Sequence, residues 1–313
     1  MTVAVPPRHE TGIEWGTLAM IAATYLVWVL ATGPLWALSP LLAFLAATLA
    51  IAQFSSLQHE VLHGHPTGNT TLNEAFVFPA LTLFIPYQRF RDTHLAHHND
   101  PILTDPYDDP ESNYLDPAVW SRLSRPLRQV LRLNNTLAGR IVLGPAVSIW
   151  AVATGDLAAI RAGDAAVRRA WVLHAVGLVG LLVWLLAVGQ MPLWAYAAAA
   201  YLGFGLLKIR TFLEHRAHET ARARTVVIED RGPLSVLFLN NNFHVVHHVH
   251  PGVAWHKLPG LYNAQRDHYL RRNDGYVYRS YADVFRRYFL TAKDPVPHPI
   301  MADPSQHWPR RTD

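Results

Sequence analysis

Between Glu14 and His59 the chain carries no charged residue. Two apolar runs fill that stretch, Trp15 to Thr32 and Leu35 to Phe54, separated by the helix-breaking pair Gly33-Pro34. The pattern returns between Ala170 and Lys208. There Trp171 to Val188 and Pro192 to Leu207 flank the turn Gly189-Gln190-Met191-Pro192. Each run is about 17–20 residues long, enough to cross a hydrocarbon core of roughly 30 Å. The pattern predicts two transmembrane hairpins with very short outer turns. The first run lacks a basic leader and continues into a second span, so it does not read as a cleaved secretory signal.

Polar segments complete the division: an N-terminal segment (1–14), hairpin 1 (15–54), a long segment (55–169), hairpin 2 (170–207), a second segment (208–294) and a proline-rich tail (295–313), together one functional domain. Two shorter apolar stretches, Phe76 to Tyr87 and Ile141 to Ala153, are interrupted by Pro79 and Pro145. Neither spans a bilayer comfortably, and each is expected to be a buried, re-entrant or interfacial helix. Between them, Pro101 to Pro117 is rich in proline and acid and reads as an extended loop.

Charge sets the orientation. All 27 Lys and Arg fall outside both hairpins and their turns. They therefore share one side of the membrane, and the positive-inside bias makes that side cytoplasmic, along with both termini and nearly every histidine. The net charge of +4 reflects this placement and gives no reason to expect nucleic acid as a partner. Composition then narrows the chemistry. Eighteen histidines stand beside zero cysteines, which excludes disulfides, thiolate zinc sites and cysteine-ligated iron–sulfur clusters. Any metal must be held by imidazole, carboxylate, amide or water.

The histidines cluster. His59-Glu60-Val61-Leu62-His63 follows the second apolar run, and His94-Leu95-Ala96-His97-His98 comes next. Glu214-His215 stands at the exit of the fourth run, followed by His244-Val245-Val246-His247-His248. Residues three or four apart share one helix face. His59 with His63, His94 with His97 and His98, and His244 with His247 and His248 therefore make three imidazole faces. With His215 they offer nine ligands, too many for one ion and sensible for two. Solvated surface histidines would not repeat the HxxHH spacing twice, each time near a membrane exit.

Two other readings use the same residues. HEVLH also fits the H-E-x-x-H signature of zinc proteases, in which the glutamate is the general base. An intramembrane protease, however, leaves both HxxHH groups unexplained. A divalent-metal transporter would place ligands near the bilayer midplane. The histidine within a span is His174, which reads as a hydrogen-bonded helix residue away from the site.

The segments HEVLHGHPTGNTTLN, FRDTHLAHHNDPILTDP, RTFLEHR and NNNFHVVHHVHPGVAWHKLP resemble the membrane fatty-acid desaturase and hydroxylase superfamily over about residues 50–260. The resemblance implies an all-α integral-membrane fold, with four transmembrane helices, interfacial helices and a cytosolic helical cap holding two irons. The implied ligands are His59, His63, His94, His97, His98, His215, His244, His247 and His248. Asn240 would contribute through a water. Glu60 and Glu214 would orient ligand imidazoles, and His65, His218 and His250 would supply outer hydrogen bonds. O₂ is the implied co-substrate, iron the implied metal, and desaturation of a fatty-acyl or lipid-like chain the implied reaction. Hydroxylation of an alkyl or small amphiphilic substrate is the alternative on the same scaffold. Nothing in the sequence binds flavin, haem or an iron–sulfur cluster. An external donor of ferredoxin, rubredoxin or cytochrome b5 type, with its reductase, is therefore implied, together with membrane lipid and a bacterial inner-membrane location. The arginines Arg122, Arg125, Arg128, Arg132, Arg271, Arg272, Arg286 and Arg287 form a basic cytoplasmic face for an acidic donor or anionic headgroups, or an ordinary positive-inside surface.

Overall fold

A computed structural model of the chain describes residues 12–301. Most of the N-terminal segment, and the proline-rich tail from residue 302 onward, lie outside the described residues. The chain begins with α1 (Trp15–Thr32), a short α2 (Pro34–Leu38) and α3 (Pro40–Leu62). The second apolar run is thus not one helix from Leu35. Ser39 accepts a hydrogen bond from the Leu42 N–H, and Pro40 occupies the first turn with its φ preset, so a new helix starts there. It then runs past Phe54 and carries His59 in its last turn. The first histidine cluster is the end of this apolar helix.

Next come α4 (Thr70–Phe76), α5 (Tyr87–His97), α6 (Pro117–Arg122), α7 (Arg125–Asn134), α8 (Leu137–Val142) and α9 (Gly144–Arg161). The stretch 77–86, expected to be helical, is an irregular loop. Leu83 sits at φ 65°, outside helical space. Side chains from other helices hold its carbonyls. Tyr25 Oη donates to Phe76 O (2.7 Å), Tyr196 Oη to Leu81 O (2.8 Å), and His174 Nε2 lies 2.8 Å from Leu83 O. Irregular backbone among apolar helices is tolerated when protein groups satisfy it in this way. Ile141 to Ala153 is divided between the end of α8 and the start of α9, with Pro145 in the first turn of α9.

The last long helices are α10 (Ala165–Ala187) and α11 (Leu193–Thr211). Three helices, α1, α3 and α10, are long and apolar enough to cross a membrane. The fourth run is helical too, but Lys208 and Arg210 in the last turn of α11 make it more polar. Large apolar side chains face outward along these helices, including Leu41 (68% exposed) and Leu186 (71%). Such a surface belongs in lipid. Inside, α3 packs between α1 and α11 through small residues. Ala43, Ala47 and Ala50 share a buried cluster with Ala195, Ala199 and Ala200. A Cβ on Gly205 would stand 2.5 Å from the Ile141 carbonyl, so only glycine permits α11 to lie this close to α8. The outer turns meet, because Gln190 and Met191 both donate backbone N–H groups to Thr32 O. Both hairpins therefore turn at the same end, and the histidines gather at the other.

That other end is a mostly helical cap. It holds α12 (Pro233–Leu237), α13 (His244–Val249), α14 (Leu258–Ala264), α15 (Arg266–Arg272) and α16 (Tyr281–Tyr288). It also contains a two-stranded parallel sheet, β1 (Val227–Ile228) beside β2 (Val277–Tyr278).

Candidate metal centre

Each histidine reaches the centre for a local reason. His59 is helical, and His63 caps the same helix before Gly64 turns the chain at φ 99°. His94 and His97 lie on the buried face of α5, with His98 as its cap. His215 is held by an antiparallel bridge to Thr225, and the strand continues so that Val226 O accepts from the Val245 N–H at the start of α13. Thus one backbone segment fixes His215 and His244 relative to each other. The helix α13 has only six residues, and His244, Val245, Val246, His247 and His248 are all buried. Packing on every side holds it, since so short a helix is not stable alone.

All nine predicted histidines converge in two groups. His59, His63, His94, His98 and His247 form one; His97, His215, His244 and His248 form the other. Within each, one ring nitrogen per residue lies within 4.8 Å of all the rest. The Nε2 atoms crowd together: His97 to His215 at 2.8 Å, His98 to His94 at 3.0 Å, His244 to His215 at 3.0 Å and His247 to His98 at 3.1 Å. Nε2 of His59, His63 and His248 are buried without any hydrogen-bond partner.

Three of the outward nitrogens have hydrogen-bond partners, while Nδ1 of His98, His215 and His248 have none. His94 Nδ1 is 2.9 Å from Glu111 Oε1, and His97 Nδ1 is 2.8 Å from Asp109 Oδ1. Asp109 is itself fixed by the N–H groups of Thr104 and Glu111. His244 Nδ1 is 3.2 Å from Asn241 Oδ1, and Asn241 donates its amide to Glu214, which also pairs with Arg210. Asp100 lies 3.7 Å from His248 Nδ1. A ring whose Nδ1–H is given to an acceptor presents its Nε2 lone pair inward. Lone pairs facing one another in a buried space repel unless a cation lies among them. The donor set therefore fits metal, as all-imidazole sites for zinc, copper or iron do.

Protonation tells the same story. Burial, followed by the neighbouring imidazoles, pushes His215, His244 and His248 well below the ordinary histidine range, and likewise His247. His97 goes the other way. Burial lowers it, but Glu111 and Asp109 outweigh that and raise it to about 9, so without an ion this ring carries a second proton that metal binding must displace.

Several predicted outer residues lie elsewhere. Asn240, at φ 53°, directs its amide to Trp255 O (3.2 Å), and the asparagine that touches a ligand is its neighbour Asn241. Glu60 accepts from the Trp255 N–H (2.8 Å), where it orients none of the nine rings. The H-E-x-x-H protease reading thereby loses its base. Glu214 is 3.8 Å from His244 Nδ1 and acts through Asn241. His65 bonds Glu14, His218 bonds the Thr220 N–H, and His250 caps α13 beside Tyr269; none touches a ligand ring. His174 is away from the centre, as expected. Sequence reasoning missed Asp100, Asp109, Glu111 and Asn241. The signal for the first three was the acid-rich loop directly after HLAHH.

Residues 34–281 match the family model described as fatty acid desaturase. The chain belongs to the fatty acid desaturase family. No curated protein matches it. All nine converging histidines lie inside the matched stretch, as do the carboxylates that orient them. The family and the apolar helices together make this a membrane protein, and the family and the histidine clusters point to an oxidoreductase that can hold metal.

Proposed function

We propose that this desaturase-family member is a membrane-bound, O₂-dependent di-iron enzyme. It introduces a double bond into a fatty-acyl or lipid-like chain, using electrons from an external carrier. The observation that carries the reading is the division of nine clustered imidazoles, seven buried and two (His98 and His215) partly so, into adjacent groups of five and four, one group for each ion. The two groups hold one iron each. When bound with O₂, the pair supplies the oxidising power to break unactivated C–H bonds.

The protein's own residues do the rest. Asp109 and Glu111 face Nδ1 of His97 and His94 and so turn Nε2 of both rings toward the ion. Glu214, with Asn241 between, does the same for His244. The fully buried α13 and the last turn of α3 close the site against water, which protects a strong oxidant from side reactions. Overall, two hydrogens leave the substrate, two electrons and two protons enter from outside, and O₂ becomes two waters. The electrons come from a ferredoxin, rubredoxin or cytochrome b5 type donor docking on the arginine-rich cap. Four helices, α1, α3, α10 and α11, span the membrane, with the cap and both termini cytoplasmic, in keeping with the positive-inside rule.

Lipids from cells expressing the chain test this by mass spectrometry. The expected product is lighter than its substrate by the mass of two hydrogens, and it disappears in the His97→Ala variant. A product heavier by one oxygen would replace desaturation with hydroxylation. An unchanged lipid profile under O₂ and reductant would contradict the activity.

A further inference from the structure

A second buried cluster lies outside the nine-histidine centre. Glu14 caps the start of α1, Glu60 stands in the last turn of α3, and His65 follows that helix; each offers an atom within 4.8 Å of the other two. Glu60 and His65 are 6% and 5% exposed. Nδ1 of His65 lies 2.6 Å from Glu14 Oε1, while Glu14 Oε2 accepts from the Thr17 hydroxyl. The other ring nitrogen, Nε2, is buried and has no hydrogen-bond partner. Facing it, 3.9 Å away, is Oε1 of Glu60, fixed by the Trp255 N–H.

That gap is informative. A hydrogen bond between the two atoms would close to about 3.2 Å or less. Two ligands about 2.0–2.2 Å from one tetrahedral ion stand about 3.3–3.6 Å apart, so the gap lies nearer to a shared ion than to a hydrogen bond. His65 also repeats the construction of His97, with a carboxylate on Nδ1 and Nε2 turned toward buried space and another donor. Glu14 and Trp255 line a cavity of about 620 Å³ that runs between the start of α1 and Lys257. Neither Glu60 nor His65 lines it, so it borders the cluster through Glu14 and Trp255.

We propose that Glu60 and His65 bind a third divalent cation of zinc or manganese type, with Glu14 as the carboxylate behind the imidazole. One imidazole with carboxylate and water oxygens suits those ions. The ion clamps the start of α1 to the end of α3 beside His59, and its presence does not depend on the desaturation chemistry.

The full chain in detergent, loaded anaerobically with Fe(II) and dialysed against micromolar zinc chloride, tests the site when total metal per chain is counted by plasma mass spectrometry. Wild type is expected to retain one equivalent more than His65→Gln and Glu60→Gln. Glu14→Gln should keep that equivalent with affinity lowered about 10–100-fold. The difference is read whether or not the protein is active, so failure of the proposed activity leaves it measurable. Wild type holding no ion beyond those lost with the nine histidines would overturn the site, leaving a protonated His65 between two glutamates. Should the variants fail to purify as single species, zinc X-ray absorption of wild type decides. One imidazole among oxygens supports the site, and a shell of several imidazoles overturns it.

Discussion

Asp109 shows how a residue without metal contact controls one that has it. It is 4% exposed, takes two backbone N–H groups and faces His97 Nδ1 at 2.8 Å. Its negative charge keeps the His97 proton on Nδ1 and makes Nε2 the better donor. Asp109→Asn is therefore expected to weaken metal binding in the four-histidine group by about 10–100-fold, read by competition with a chelator. Unchanged affinity would remove Asp109 from this role. The nine imidazoles were legible in the sequence because helical spacing alone puts i, i+3 and i+4 on one face. Their partners were not. Asp109 and Glu111 come from an irregular loop whose path depends on tertiary contacts, such as the Arg224 guanidinium on Leu103 O. The choice between Asn240 and Asn241 depended on a left-handed backbone at Asn240, which nothing local announces.

At the scale of elements, close approach decides the architecture. The α11 helix lies against α8 with no room for a side chain at Gly205. Gly205→Ala must push a methyl into the Ile141 backbone, and overpacking of this kind costs about 1–3 kcal/mol. Thermal unfolding in detergent should show a lowered midpoint for Gly205→Ala and none for Gly180→Ala, where nothing lies within 4 Å of the added carbon. Equal midpoints would contradict the packing. The four apolar runs were readable from length and charge alone, and all are helical apart from the break at Ser39 in the second. The stretch 77–86 was not, because its apolar composition suits a helix equally well. The Tyr196 hydroxyl and the His174 ring, far away in sequence, take carbonyls that a helix would have satisfied internally.

For the whole molecule, the outer turns meet at Thr32 and the histidines gather at the opposite end, so topology and chemistry share one axis. With residues 12 and 301 both at the histidine end, a reporter fused after the last residue is expected to be active when it reads cytoplasmic location and silent when it requires export. The reverse pattern would invert the orientation. On the proposed function, the two histidine groups hold one iron each. Mössbauer spectroscopy of the anaerobically reconstituted full chain tests it most directly. Two iron environments in equal amounts are predicted, one depending on His247 in the five-histidine group and the other on His97 in the four-histidine group. A single iron environment, or two that survive both His97→Ala and His247→Ala, would contradict the account.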